Sequence, residues 1–338
     1  MTGPLPGVLR PVTVPASWLY GGAMARRNRR FDRGVGVERI DRPVISIGNV
    51  TVGGVGKSPV VAWVVDRLLE NGHRPVIAMR GYGAVDGGPS DEQVEYASRC
   101  PGVDVVADPD RVSALRAYLP GRRDVDCVVL DDGFQHRRLN RDLDVVLIDA
   151  SRRTLGDRLL PAGTLREPLT CLRRCDAVVV TRADGVDDVL SDGIERRHGR
   201  PPVAWSRHTW TGLVVHEGEA SPRDEPVKWL DGRRVLTLLG VGHPHAIERQ
   251  IESHGATIAA SIPAGDHELY DRQKVRVVRG LCGGVDAVVV TAKDWVKLRH
   301  LIDLPDWPIP IVVPELRIDV FSGHDALLEL MLSRVHSA

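Results

Sequence analysis

The chain has 338 residues, enough for two domains. With 43% hydrophobic and 27% charged residues, its composition is that of a globular protein rather than a disordered one. Lys plus Arg total 45 and Asp plus Glu total 45, so overall charge offers nucleic acid no footing.

In chain order, residues 1–42 come first. Trp18, Leu19, Tyr20 and Met24 precede Arg26, Arg27, Arg29 and Arg30. That pattern predicts an amphipathic helix with aromatic anchors and a basic face, able to lie at a membrane surface. No run of 18 apolar residues is present, so no spanning helix is predicted. The N-terminus lacks the charged start and apolar core of a secretory signal.

From Pro43 onward, short apolar runs alternate with helical patterns. VISIG (44–48), VIAM (76–79), VDVVA (103–107), DCVVLDD (126–132), DVVLID (144–149) and AVVVT (177–181) read as strands covered on both faces. The predicted fold is therefore α/β, a mostly parallel sheet of the P-loop NTPase type over residues 43–200. Residues 201–232 read as linker strands with a turn. A second, smaller α/β domain is expected over 233–338, with RVLTLLGVG (234–242), helices near 244–254 and 270–281, and DAVVVTAKD (286–294).

The most informative stretch is Thr51-Val52-Gly53-Gly54-Val55-Gly56-Lys57-Ser58, set between a strand and a helix. Glycines let successive N–H groups turn toward one anion, and the helix N-terminus adds its positive dipole. Lys57 suits the β- and γ-phosphates of ATP, and the Ser58 hydroxyl suits Mg²⁺. The first position departs from the usual glycine. Asp131 and Asp132 end a later strand, as metal-site carboxylates do. The five cysteines are an odd number with no complementary ligand set, which fits a reducing compartment better than disulfides or zinc.

These stretches resemble the tetraacyldisaccharide 4'-kinase family over nearly the whole chain. The resemblance rests on PASWLYG (15–21), GNVTVGGVGKSPVV (48–61), RGYG (80–83), DE (91–92), DDGFQHRRLNRDLDVVLID (131–149), LLPAGTLREP (159–168), GVGHP (240–244), GDH (265–267) and TAKD (291–294). The family also begins its phosphate loop with Ser or Thr. The resemblance implies an ATP- and Mg²⁺-dependent kinase of lipid A biosynthesis at the cytoplasmic face of the bacterial inner membrane. Its acceptor would be a lipid disaccharide, with no nucleic acid and no obligate protein partner.

By the same resemblance, Thr51 to Ser58 bind ATP, and Asp131 and Asp132 serve the metal with Ser58. Asp91 is the base for the sugar hydroxyl, His267 supports it, and Arg166 contacts phosphate or substrate. Gln135 and His136 belong to the same signature. The chain departs from the family at Gln93, Ala84 and Ala292. With Asp91 in one domain and His267 in the other, the expected active site is a cleft that closes. Other readings of the same motifs are a P-loop switch ATPase or GTPase, and an inactive homologue kept as a binding protein.

Overall fold

A computed structural model describes residues 10–81, 90–241, 244–265, 268 and 270–336. It divides into two compact units, one formed by residues 1–208 with 318–338, the other by residues 209–317.

The first unit opens with helix α1 (Arg10–Asp32). A parallel sheet follows, built from β1 (Val44–Asn49), β2 (Pro75–Met79), β3 (Val105–Ala107), β4 (Cys127–Asp131), β5 (Leu143–Asp149), β6 (Ala177–Thr181) and the start of β7 (Ala204–His216). Its strand order is β7-β6-β5-β1-β4-β2-β3. Strand β1 has β4 on one side and β5 on the other. The order reverses there, and ligands of open α/β sheets bind beyond the strand ends at such a point.

Helix α2 (Lys57–Glu70) follows β1. Its sequence is rich in Val, a weak helix former, so burial rather than propensity holds it. Val60, Val61, Val64, Val65 and Leu68 are all buried, and α9 (His324–His336) returns Leu327, Met331 and Val335 to the same core. That return corrects the sequence-based boundary. The tail of β12 (Ile311–Ser322) and all of α9 belong with the first unit, because their apolar side chains complete its core.

Helices α3 (Asp91–Arg99), α4 (Arg111–Tyr118) and α5 (Asp188–His198) complete this unit. Ser90 caps α3 by accepting from Gln93 N, while Gln93 Oε1 accepts from Ser90 N at 2.8 Å. Gln93, a departure from the family pattern, thus closes a capping box.

The second unit holds β8 (Arg223–Glu225), β9 (Arg234–Leu239), β10 (Thr257–Pro263), β11 (Ala287–Val290) and the start of β12, with helices α6 (Pro244–Ser253), α7 (Arg272–Gly280) and α8 (Ala292–Leu298). Strands β10, β9, β11 and β12 are parallel neighbours, and β8 pairs antiparallel with the end of β7. The two strands and turn expected at the start of 201–232 are instead the single strand β7, and its partner β8 falls in the polar stretch that follows. Within DAVVVTAKD the strand ends at Val290, and the Thr291 side chain caps α8 by accepting from Asp294 N.

The expected amphipathic segregation of α1 runs along the helix rather than around it. Thr13, Ser17, Tyr20, Met24, Arg27, Asn28 and Phe31 turn inward or are half-buried. Val12, Trp18 and Leu19 are at least 70% exposed, and Arg26, Arg29, Arg30 and Arg33 continue the exposed side. The inward face is held by polar bonds: Ser17 Oγ donates to Leu159 O at 2.9 Å and Tyr20 Oη to Arg166 O at 2.8 Å. No helix among the described residues is long and apolar enough to cross a membrane.

Candidate active site

Residues 51–58 form the turn between β1 and α2. Gly53 and Gly56 have φ of 89° and 83°, in the left-handed region that a side chain would strain. Gly56 occupies the N-cap of α2 without a side-chain cap, and the first turn carries no acidic residue. The helix N–H groups there are left for an anion. The loop is zipped to the segment that carries Arg166. Val52 N donates to Thr164 O at 2.8 Å, and Arg166 N to Val50 O at 2.8 Å. Thr51, the departure from glycine, is buried, and its Oγ1 accepts from Asn49 Nδ2 at 3.1 Å.

Asp131 and Asp132 stand beside this turn because β4 pairs with β1 so that Asp131 lies opposite Ile47. Lys57 Nζ is 3.5 Å from Asp132 Oδ1. Arg166 Nη1 lies 2.9 and 3.0 Å from the two Asp132 oxygens and donates to Gln135 Oε1 at 3.1 Å. Burial pushes the Asp132 carboxyl up, but Lys57 and Arg166 outweigh it and hold it below its ordinary value. Asp131 goes the other way, raised by burial against the opposing pull of Lys57.

Asp131 Oδ1 is buried and completes no hydrogen bond, while the neighbouring buried Tyr96 hydroxyl faces the Asp131 and Ser58 side chains. A buried carboxylate oxygen without a partner is costly, and a divalent cation is one group that would satisfy it. Ser58, in the first turn of α2, perturbs the same Tyr96 phenol. Glu92 adds to the acidic side: burial and then Asp131 lift its carboxyl to about 7.

The family model for tetraacyldisaccharide-1-P 4'-kinase, LpxK, matches residues 9–336. The chain belongs to the tetraacyldisaccharide 4'-kinase family. It is therefore a phosphotransferase. A tetraacyldisaccharide 4'-kinase of Geobacter sulfurreducens is 37% identical, over 90% of this chain and 88% of its own length. One from Syntrophotalea carbinolica is 32% identical, over 91% and 89%. The crystal structure of LpxK from Aquifex aeolicus in complex with ATP superposes with a TM-score of 0.71 at 27% identity, covering 95% of this chain and 98% of that one.

The structure thus brings Lys57, Asp131, Asp132 and Arg166 together, with Ser58 beside Tyr96. Asp91 is the first residue of α3, and its side chain lies outside the described residues, as does the whole of His267.

Several residues with roles here were not singled out from the sequence. Behind the phosphate loop, the fully buried Asp149 carboxylate meets Arg182 at 2.7 Å and Arg152 at 3.4 Å. Those guanidiniums in turn donate to loop carbonyls: Arg152 to Val52 O at 3.2 Å and Gly54 O at 3.3 Å, and Arg182 to Gly54 O at 2.9 Å. Thr181 Oγ1 donates to Val55 O at 3.0 Å. With its carbonyls gripped from behind, the loop is held in one conformation. The available signal was position, since Asp149 and Thr181 end parallel strands at the ligand-binding edge.

His208 packs its Nε2 edge so near Gly56 that a Cβ there would stand 2.8 Å away. Burial, helped by Arg182, lowers its pKa to about 4, so the ring is neutral at physiological pH.

On the other flank, Glu167, next to Arg166, is fully buried. It accepts from Arg174 at 2.9 and 3.0 Å and from Asn28 of α1 at 2.6 Å. Arg27 Nη2 donates to Gln135 O at 2.6 Å. Helix α1 therefore braces both loops that present Arg166 and Gln135.

Proposed function

We propose that this kinase transfers the γ-phosphoryl group of ATP to the 4'-hydroxyl of a tetraacylated disaccharide 1-phosphate. The observation that carries the reading is a single cluster. An uncapped helix N-terminus, Lys57, Asp131, and Asp132 in the grip of Arg166 share the C-terminal edge of β1 and β4.

Phosphoryl transfer needs positioning and charge neutralisation more than covalent help. The loop N–H groups and Lys57 would hold the β- and γ-phosphates. Arg166, anchored on Asp132 and Gln135, would face the transferring oxygens. Ser58 and Asp131 are the residues that would hold Mg²⁺, which when bound neutralises charge across the β- and γ-phosphates. Asp91 would accept the proton of the sugar hydroxyl, with His267 supporting it. The exposed Val12, Trp18 and Leu19 of α1, followed by its arginines, would seat the protein on the cytoplasmic face of the inner membrane, where a lipid acceptor resides. A switch ATPase or an inactive homologue is not favoured, since the phosphate loop, the paired carboxylates and the family match agree.

The test is transfer of labelled γ-phosphate to the acceptor in detergent micelles. Lys57→Ala should abolish product and Asp91→Asn should reduce kcat with little change in the KM for ATP. Full activity in Asp91→Asn would remove it as the base.

A further inference from the structure

We propose that Arg174 is a positioning residue for Arg166, an assignment that rests on the phosphate-facing role given to Arg166 above. Arg174 ends the short 3₁₀ turn Leu169–Arg174, and its side chain is 16% exposed. Its guanidinium holds two loops at once. Nη1 and Nη2 donate to the two Glu167 oxygens at 2.9 and 3.0 Å. Nη2 also donates to Phe134 O at 3.1 Å. The guanidinium carbon lies over the Phe134 ring, 3.7 Å from its centre, a stack that a planar cation favours.

These contacts close a ring. Arg166 bridges to Asp132 and Gln135, while Arg174 ties the next residue along the chain, Glu167, to Phe134, which lies between Asp132 and Gln135 in sequence. Two arginines thus cross-link the same pair of loops at adjacent residues. Phe134 is fully buried, and it packs so close to β1 that a Cβ on Gly48 would stand 2.5 Å from its own. A ring wedged in this way cannot shift without moving the strand. Arg174 therefore references the Arg166 segment to the strand that leads into the phosphate loop. Val50 O and Tyr20 hold the Arg166 backbone, and the Glu167 fork restrains it from the following residue. Glu167 is fully buried, so its carboxylate cannot turn to water for a replacement partner. A guanidinium that meets developing charge must be held to a fraction of an ångström, and its neighbours decide whether it is.

The experiment is a double-mutant cycle on kcat with Arg174→Lys, Arg166→Lys and the pair. Lysine keeps the charge of Arg174 and loses both the fork and the stack. The expected result is a loss of kcat of about tenfold to a hundredfold in Arg174→Lys, with the KM for ATP changed less than about threefold. In the Arg166→Lys background the same substitution should lower kcat less than about threefold, because the residue it positions is gone. Equal losses in both backgrounds would overturn the proposal and leave Arg174 a structural residue. Unchanged kcat in Arg174→Lys would overturn it as well. Should Arg166→Lys alone keep full kcat, the role given to Arg166 fails. The positioning itself is then read without turnover, from the Nε–Hε resonance of Arg166, identified by its loss in Arg166→Lys. That resonance should shift in Arg174→Lys, and an unmoved one refutes the positioning. If Arg174→Lys does not fold, Glu167→Gln keeps the side-chain shape, removes the charge that Arg174 grips, and carries the same expectations.

Discussion

Asp149 offers the sharpest test of how the phosphate loop is built. Its carboxylate is fully buried, while its partners Arg152 and Arg182 are 20% and 21% exposed. Ser151 also donates to it, from N at 3.0 Å and from Oγ at 2.6 Å. Asp149→Asn keeps the shape and removes the charge. Removing one partner of a buried pair costs about 3–5 kcal/mol. Both arginines can regain water, which places this substitution near the low end, about 3 kcal/mol. The functional effect follows from geometry, because the two guanidiniums hold the Val52 and Gly54 carbonyls. Released from Asp149, they hold the loop less well, and nucleotide binding must then order it. The KM for ATP should rise about tenfold to a hundredfold, with a smaller change in kcat. Equilibrium denaturation and steady-state kinetics on the same preparation read both numbers. A variant within about 0.5 kcal/mol of wild type, with unchanged KM for ATP, would refute this account of the loop.

Four further substitutions probe other contacts. Gly56→Ala meets both a φ of 83° and His208 Nε2 at 2.8 Å, so it should cost about 1–3 kcal/mol in denaturant titration and weaken ATP binding. Tyr20→Phe removes the hydroxyl that bonds Arg166 O. It should lower stability by about 1 kcal/mol and reduce kcat, whereas Trp18→Ala, on the exposed side of α1, should chiefly reduce vesicle binding. His208 has a folded pKa of about 4 against 6.5 when free. The unfolded chain therefore takes up the proton first as pH falls, and stability is lost between those values. At pH 5 the loss from this ring is about 2 kcal/mol, and His208→Gln should remove that portion of the stability difference between pH 7.5 and pH 5.

Much of the phosphate site was legible because its signals are local. Gly53, Gly56, Lys57 and Ser58 fall within six residues at the junction of an apolar strand and a helix, and Asp131 and Asp132 stand at the end of another apolar strand. The Asp149–Arg152–Arg182 support was not legible, since its members come from the ends of two different strands and are joined only by parallel pairing. The return of α9 was missed for a similar reason: apolar positions in the last helix do not say which core they complete. Helix α1 was read as an amphipathic surface element, yet its inward face is polar and bonded to Leu159, Arg166, Glu167 and Gln135. Hydrophobic periodicity cannot see a face buried through hydrogen bonds. Gln93 departs from the family pattern, and it completes the cap of α3.

The most direct measurement of the central claim is the mass and ³¹P spectrum of the acceptor after incubation with purified protein, ATP and Mg²⁺. The expected product is the disaccharide carrying one added phosphoryl group as a 4'-monoester, formed by wild type and absent with Lys57→Ala. Accumulation of ADP with the acceptor unchanged would contradict it.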